Sequence, residues 1–229
     1  RKARQRISCF LLKHGRRYER KKWGHRHRVW LADLQFGHVA TQFALQSYIN
    51  EEEQAVDRRA QVDGQIEDLM SGWVLAPIVR ELTALRGLDI VIASAVVAEV
   101  GDFARFENPR RLMSYFGLVP GEFSSGSSIR PRGITKAGSS DVRALLFEAA
   151  WLYRLKPKVG QWSLVRQKAL SQAAKDIAWK AQLRLYGRYQ RLTQIRHKRS
   201  QVAVTAVARE LVEFIWAIAR NAENSLVVR

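Results

Sequence analysis

No proline occurs before Pro77, and within that stretch the segment from Asp33 to Met70 carries apolar residues at helical intervals. Ile49 and Val56 are seven apart, Val62, Ile66 and Leu69 follow at four and three, and Leu34 and Phe43 extend the pattern toward the N-terminus. A segment with this period and no helix breaker is restricted to a long amphipathic helix, with Gly37 as a kink and Gly64 as a point of fraying. Its apolar seam is interrupted by Glu51 to Glu53 and by Arg58 and Arg59, which is too poor for a self-sufficient coiled coil. A partner helix must complete it, either the helix before His14 in the same chain or the equivalent helix of a second protomer.

The remaining segments also read as helices. Lys2 to His14 places Ile7, Phe10 and Leu11 on a helix closed by Gly15. Cys9, the single cysteine, is expected to be a small buried residue there, and with five scattered histidines it makes no zinc-ligand spacing. Arg16 to Arg28 is dominated by Arg, Lys and His with Trp23 and Trp30 interleaved, too polar to pack. It is either a solvated loop or an arm that stacks on and pairs with nucleic acid. Gly72 and Pro77 mark a boundary. Ile78 to Leu85 and Ile90 to Val100 then form two helices joined by Arg86-Gly87-Leu88-Asp89, the outline of a helix-hairpin-helix. Asp89 would repel a phosphate, so that turn is assigned to packing before DNA contact.

Asn108 followed by Pro109 starts a helix that Gly117 ends, with Leu112, Met113, Tyr115 and Phe116 toward the core. No apolar period survives from Glu122 to Gly133, which predicts a short β-hairpin or loop. Ser139 or Ser140 caps the next helix, striped by Leu145, Leu146, Ala149, Leu152 and Tyr153. Farther on, Lys180, Arg184, Arg188 and Arg191 follow at four, four and three residues and so share one helix face, with almost no local Asp or Glu to pair them. That stripe predicts contact with a nucleic-acid backbone. Arg196 to Arg199 forms a basic turn, Val202 to Ala219 an apolar helix with Trp216 in the core, and the tail after Asn221 frays. The fold class is therefore mainly α. Residues 1–72 hold the linker helix, basic arm and long helix, 73–221 a compact helical domain, and 222–229 the tail.

Lys and Arg number 39 against 21 Asp and Glu, a net charge of +18 and a pI of about 10.8, which points to a polyanionic partner. With 47% hydrophobic residues the chain is globular, and no apolar run approaches the roughly 20 residues of a spanning helix. The N-terminus leads into no signal-peptide pattern, so the expected location is cytoplasmic.

The densest chemistry lies between Gly117 and Gly138, a serine cluster set in glycine and surrounded by Arg130, Arg132, Lys136 and Arg143. A serine needs a base or a positive field to act as a nucleophile, and this segment holds no histidine. Guanidinium and ammonium groups suit the oxygens of a phosphoryl transition state instead. A helix opening at Ser139 would add its N–H groups to that field. A flexible Ser/Gly loop on a basic protein is the alternative.

The stretch from Leu85 to Tyr153 resembles the transposase domain of the insertion-sequence-110 (116/902) family, the bridge-RNA-guided DNA recombinases. The resemblance rests on Phe106-x-Asn108-Pro109-Arg110-x-Leu112-x-x-Tyr115-x-Gly117-Leu118-x-Pro120, on Ser125-Gly126-Ser127-Ser128, on Ile134-Thr135-Lys136-Ala137-Gly138, and on Arg143-x-Leu145-Leu146. It implies that the serine immediately before the glycine, Ser125, is the recombination nucleophile, and that Ser124 is the weaker candidate. It also implies a coiled-coil dimerisation helix where Asp33 to Met70 lies. Members of the family begin with a RuvC-like domain whose Asp-Glu-Asp-Asp tetrad binds divalent metal. Nothing here matches that domain, and Arg1 begins in what resembles the helix after it, so the chain is expected to be a C-terminal fragment with the metal, Mg²⁺, held elsewhere.

Three functions follow as expectations. The first is a serine-dependent insertion-sequence transposase acting on double-stranded DNA, with a structured guide RNA and a homo-oligomeric assembly. Its phosphate-binding residues would be Arg130, Arg132, Lys136, Arg143, Lys180, Arg184, Arg188 and Arg191. The second is a non-catalytic nucleic-acid-binding module, and the third a domain that only dimerises a larger enzyme.

Overall fold

The computed structural model of the chain describes residues 2–125, 128–160, 164–165 and 167–227, with the backbone alone for 122–125, 128–132 and 227. It is mainly α, with one two-stranded sheet among the described residues. Two compact units divide it, Arg1–Gln65 and Ile66–Arg229.

The first unit contains α1 (Lys2–Lys13), α2 (His25–Asp33) and most of α3 (Val39–Met70). On α1, Ala3, Ile7 and Leu11 recur every fourth residue and are buried. The helix stops at Gly15, whose φ of +67° allows Arg16 N to reach Leu11 O at 2.8 Å and Gly15 N to reach Leu12 O at 3.1 Å. These are the two crossing bonds of a Schellman cap. Cys9 is exposed rather than buried, because position 9 lies nearly opposite the face shared by Ile7 and Leu11.

The basic arm also departs from expectation. Its second half is α2, and its aromatic rings fill the unit instead of standing in solvent. His27 is buried with Tyr18, Trp23 and Trp30 ring centroids 4.7, 4.9 and 5.7 Å from its own. Arg4 lies 5.1 Å over Trp23. The cationic heads remain outside while the rings join Ile7, Leu11, Leu31, Leu34 and Leu45. The long helix starts at Val39 rather than Asp33, after an irregular stretch around Gly37, and passes through Gly64 without a break. Glu52, which interrupts its apolar seam, is buried at 5% exposure and accepts from Arg4 Nε at 2.7 Å, with Arg28 3.3 Å away. Glu51 pairs with Arg6. Within the N-terminal half, Leu34, Leu45, Tyr48 and Ile49 pack inside the unit, whereas Phe43 and Val56 of the predicted seam are exposed. Toward its C-terminal end, Val62 and Leu69 stay exposed on the same face as Ile66.

The second unit is built around α9 (Ser200–Val227), which packs on α4 (Ala76–Leu82), α6 (Pro109–Tyr115), α7 (Ser140–Trp151) and α8 (Gln172–Gln190). Ala203, Val207, Leu211 and Ile215 follow at four-residue steps and are fully buried, and each larger aliphatic chain so buried contributes about 1.5–3 kcal/mol. Trp216 sits half-buried at the core edge and donates to Phe106 O at 3.1 Å. The tail does not fray after Asn221: α9 continues to Val227, with Glu223 accepting from Phe103 N at 2.7 Å.

Between α4 and α5 (Ile90–Val100), Gly87 has φ +89°, and a Cβ there would fall 2.9 Å from the Ala149 backbone of α7. Asp89 caps α5 by accepting from Ile92 N at 2.9 Å. The turn is thus fixed by packing and capping. A short 3₁₀ turn, Leu152–Arg154, ends α7, and the loop beyond it is held by Arg86, whose guanidinium donates to the carbonyls of Leu155, Lys156 and Lys158. Ser171 caps α8 and is itself held by Glu81.

Candidate nucleic-acid interface and serine hairpin

The serine cluster lies on a β-hairpin whose root is anchored by a knot of tight turns. Asn108 caps α6, its side chain accepting from Arg110 N and Arg111 N, with Pro109 at the first turn. The helix ends in a second Schellman cap at Gly117 (φ +64°), where Leu118 N reaches Met113 O at 3.0 Å and Gly117 N reaches Ser114 O at 2.9 Å. Strand β1 (Pro120–Ser125) follows directly and pairs antiparallel with β2 (Ser128–Ile134), with an irregularity between Pro120 and Glu122. Ser124 opposes Ile129, Phe123 opposes Arg130, and Ser125 opposes Ser128 as the last pair. Gly126 and Ser127, and the side chains of Ser124, Ser125, Arg130 and Arg132, lie outside the described residues.

The returning strand locks onto the end of α6. Thr135 N donates to Val119 O and Lys136 N to Gly117 O, both at 3.0 Å. The approach is so close that a Cβ on Gly117 would sit 2.3 Å from Ala137 N and O, and one on Gly138 (φ +68°) 2.2 Å from Tyr115 O. Only glycine fits either position. Arg143 closes the knot. It is one of the few buried charged residues, 9% exposed, and its Nη1 donates to Phe116 O at 3.1 Å and Ala137 O at 2.7 Å. The sequence places Arg143 at the phosphate; the structure turns its guanidinium inward onto two carbonyls. Lys136 is different. It adopts φ +60°, an uncommon conformation for a side chain with a Cβ, and is exposed beside the hairpin root and the Ser139-capped start of α7.

Of the four predicted cations, Lys180, Arg184 and Arg188 lie on α8 and Arg191 opens the π-helical turn Arg191–Ile195 that continues it; Arg184, Arg188 and Arg191 line one depression, and the acids that sequence proximity did not supply come from α9. Arg184 lies 3.5 Å from Glu210 and 3.1 Å from Glu213. Arg188 Nε lies 2.9 Å from Glu210, in a geometry that makes an ion pair rather than a directed hydrogen bond. Lys180 and Arg191 are exposed and have no ion-pair partner among the described residues. Arg110, which the sequence singles out only within the family motif and not as a phosphate ligand, and Arg209, which it does not single out, line the same surface. No local signal marks them, since each belongs to a different helix. Among the described residues no three His, Cys, Asp or Glu side chains gather as a metal site.

A family model described as Transposase IS116/IS110/IS902 family matches residues 79–161, which run from α4 through the hairpin, the glycine knot and α7. That match covers about a third of the chain and is a likeness to that family's transposases. The chain is 47% identical over 223 residues to a Sinorhizobium fredii protein named as transposase y4qE, covering 97% of this chain and 54% of that protein. It is 25% identical over 198 residues to the transposase for insertion sequence element IS1533 of Leptospira borgpetersenii, covering 85% and 57%. An IS110 protein of Streptomyces coelicolor is 30% identical over 95 residues, 42% of this chain and 23% of that protein. The chain spans about half the length of the first two. The matched residues 79–161 include Ser125, Lys136 and Arg143 but not the α8 stripe. No described helix is long and apolar enough to cross a membrane.

Proposed function

We propose that this chain is the serine-bearing part of an insertion-sequence transposase that cuts and rejoins DNA through Ser125, with the target chosen by a structured guide RNA. The observation that carries the reading is the anchored hairpin: a transposase-family segment spends two positive-φ glycines and a buried arginine on fixing the strand that ends at Ser125. A nucleophile must be held in register with its phosphate to gain from proximity, and a fixed root supplies that.

In the proposed reaction Ser125 Oγ attacks the scissile phosphorus and loses its proton to solvent or a base. A P–O ester to serine forms, and the bond to one deoxyribose oxygen breaks. The leaving oxygen takes up a proton, and reversal with a different strand end rejoins the DNA without net loss of bond energy. Lys136, Arg130 and Arg132 would stabilise charge on the non-bridging oxygens. Any Mg²⁺ that assists would be held by acidic residues outside this segment. Two copies would associate through α3, on which Val62 and Leu69 are exposed beside the half-buried Ile66.

The test is covalent trapping with labelled DNA on a denaturing gel, using the full-length enzyme. Ser125→Ala should remove the protein–DNA adduct and all strand exchange while leaving DNA binding intact, and Ser124→Ala should be tolerated. An adduct that persists in Ser125→Ala overturns the assignment, and binding without any adduct in the wild type leaves a non-catalytic nucleic-acid module.

A further inference from the structure

The cationic face of α8 is not a flat patch. Two depressions, of about 520 and 440 Å³, share Arg184 and Glu210 in their walls and so adjoin one another. The larger reaches Arg110, Arg209 and Val119, the residue immediately before β1, so it opens at the root of the serine hairpin. The smaller is lined by Arg188 and Arg191 and has Gly187 in its floor.

Gly187 is unusual for its place. It lies inside α8 with no positive φ, it is exposed, and a Cβ built on it would meet nothing within 4 Å. No packing inside this unit requires a glycine there, and glycine is the weakest helix former after proline. What the missing side chain does is leave the helix backbone bare between Arg184, one turn before, Arg188 beside it and Arg191, one turn after. Across both depressions five arginines face two glutamates, a surplus of three positive charges. Glu210 and Glu213 do not cancel the surplus. Glu210, mostly buried, ties Arg184 and Arg188 in place, so their forks are pre-set at little further entropic cost.

We propose that this trough seats one phosphodiester backbone of duplex DNA, that Gly187 is the bare point over which the backbone passes, and that the trough leads it toward the serine hairpin. This rests on the transposase reading for the choice of DNA. The chemistry recognised is a row of phosphates, held by guanidinium groups at spacings fixed by the helix.

The experiment measures binding of fluorescein-labelled duplex DNA, and separately of an RNA hairpin of equal length, by anisotropy across a salt series. The 229-residue chain is compared with its Gly187→Leu, Arg191→Gln and Gly64→Leu variants. Gly64 is an exposed glycine within α3 with open space at its Cβ, so it controls for the helix effect. Gly187→Leu should raise the melting temperature by about 2 °C, since leucine favours helix over glycine, yet weaken duplex binding at least tenfold. Arg191→Gln should lower the slope of log affinity against log salt by about one. Gly64→Leu should bind as the wild type does. A stabilised Gly187→Leu chain that binds duplex with wild-type affinity overturns the trough while leaving DNA binding standing. A wild-type chain with no salt-dependent DNA binding overturns the transposase reading itself. A Gly187→Leu chain that loses RNA binding while keeping duplex binding overturns the assignment to DNA.

Discussion

Arg143→Met separates a structural arginine from a phosphate-binding one. The methionine keeps most of the buried stem volume and removes the guanidinium, leaving Phe116 O and Ala137 O without the donor now 3.1 and 2.7 Å away. Each hydrogen bond from a charged donor contributes about 1.5–3 kcal/mol, and the side chain is only 9% exposed, so water replaces it poorly. Because both bonds go at once and the turn at Lys136 is left to relax, the expected loss is roughly 3–5 kcal/mol. For a unit running from Ile66 to Arg229, one kcal/mol moves the midpoint by about 2–4 °C, so the second unit should melt about 10 °C lower. Calorimetry or circular dichroism reads that shift, and anisotropy well below the new midpoint reads DNA affinity, which should stay within about threefold of the wild type. Arg143→Lys, able to serve one carbonyl, should fall between. A melting temperature within about 2 °C of the wild type, together with a tenfold loss of affinity, would refute the reasoning and return Arg143 to the phosphate.

Two further outcomes are expected. Burial, reinforced by the charges of Lys22 and Arg28 and opposed by Glu52, holds the His27 pKa below its ordinary 6.5, and neither ring nitrogen has a hydrogen-bond partner among the described residues. The unfolded chain therefore binds the extra proton first, so stability is full above about pH 6.5 and falls as pH drops below it. The first unit should melt lower at pH 5 than at pH 7.5, and His27→Phe should reduce that difference; an unchanged difference in the variant would sink the assignment. Self-association through α3 should be visible by light scattering and abolished by Val62→Glu with Leu69→Glu, whereas a wild-type monomer at high concentration removes it.

Much of the local structure was legible in the sequence. Asn108-Pro109 and the serines at 139 and 140 mark helix starts because a cap satisfies N–H groups within three residues, a purely local bond. Gly15 and Gly117 mark helix ends for the same reason, and the four-residue steps of α9 announce a buried face. The hairpin was legible as a failure of helical period. Its register, and the paired turns at its root, were not.

What composition and pattern determined by themselves was a basic, mainly α chain with a long helix, a serine hairpin and a stripe of cations along α8. Tertiary structure decided what each charge is for. Arg143 turns inward because the end of α6, 27 residues away in sequence, is folded against the turn before α7, so that Phe116 O and Ala137 O both face its guanidinium. Arg184 and Arg188 meet Glu210 because α9 folds back along α8. The rings of the basic arm became core because α1 and α3 offered them an apolar surface. A side chain's spacing fixes the helix face it shares, since that follows from 3.6 residues per turn, but its partner depends on which helices lie side by side, and that is settled by burying apolar area across the whole unit.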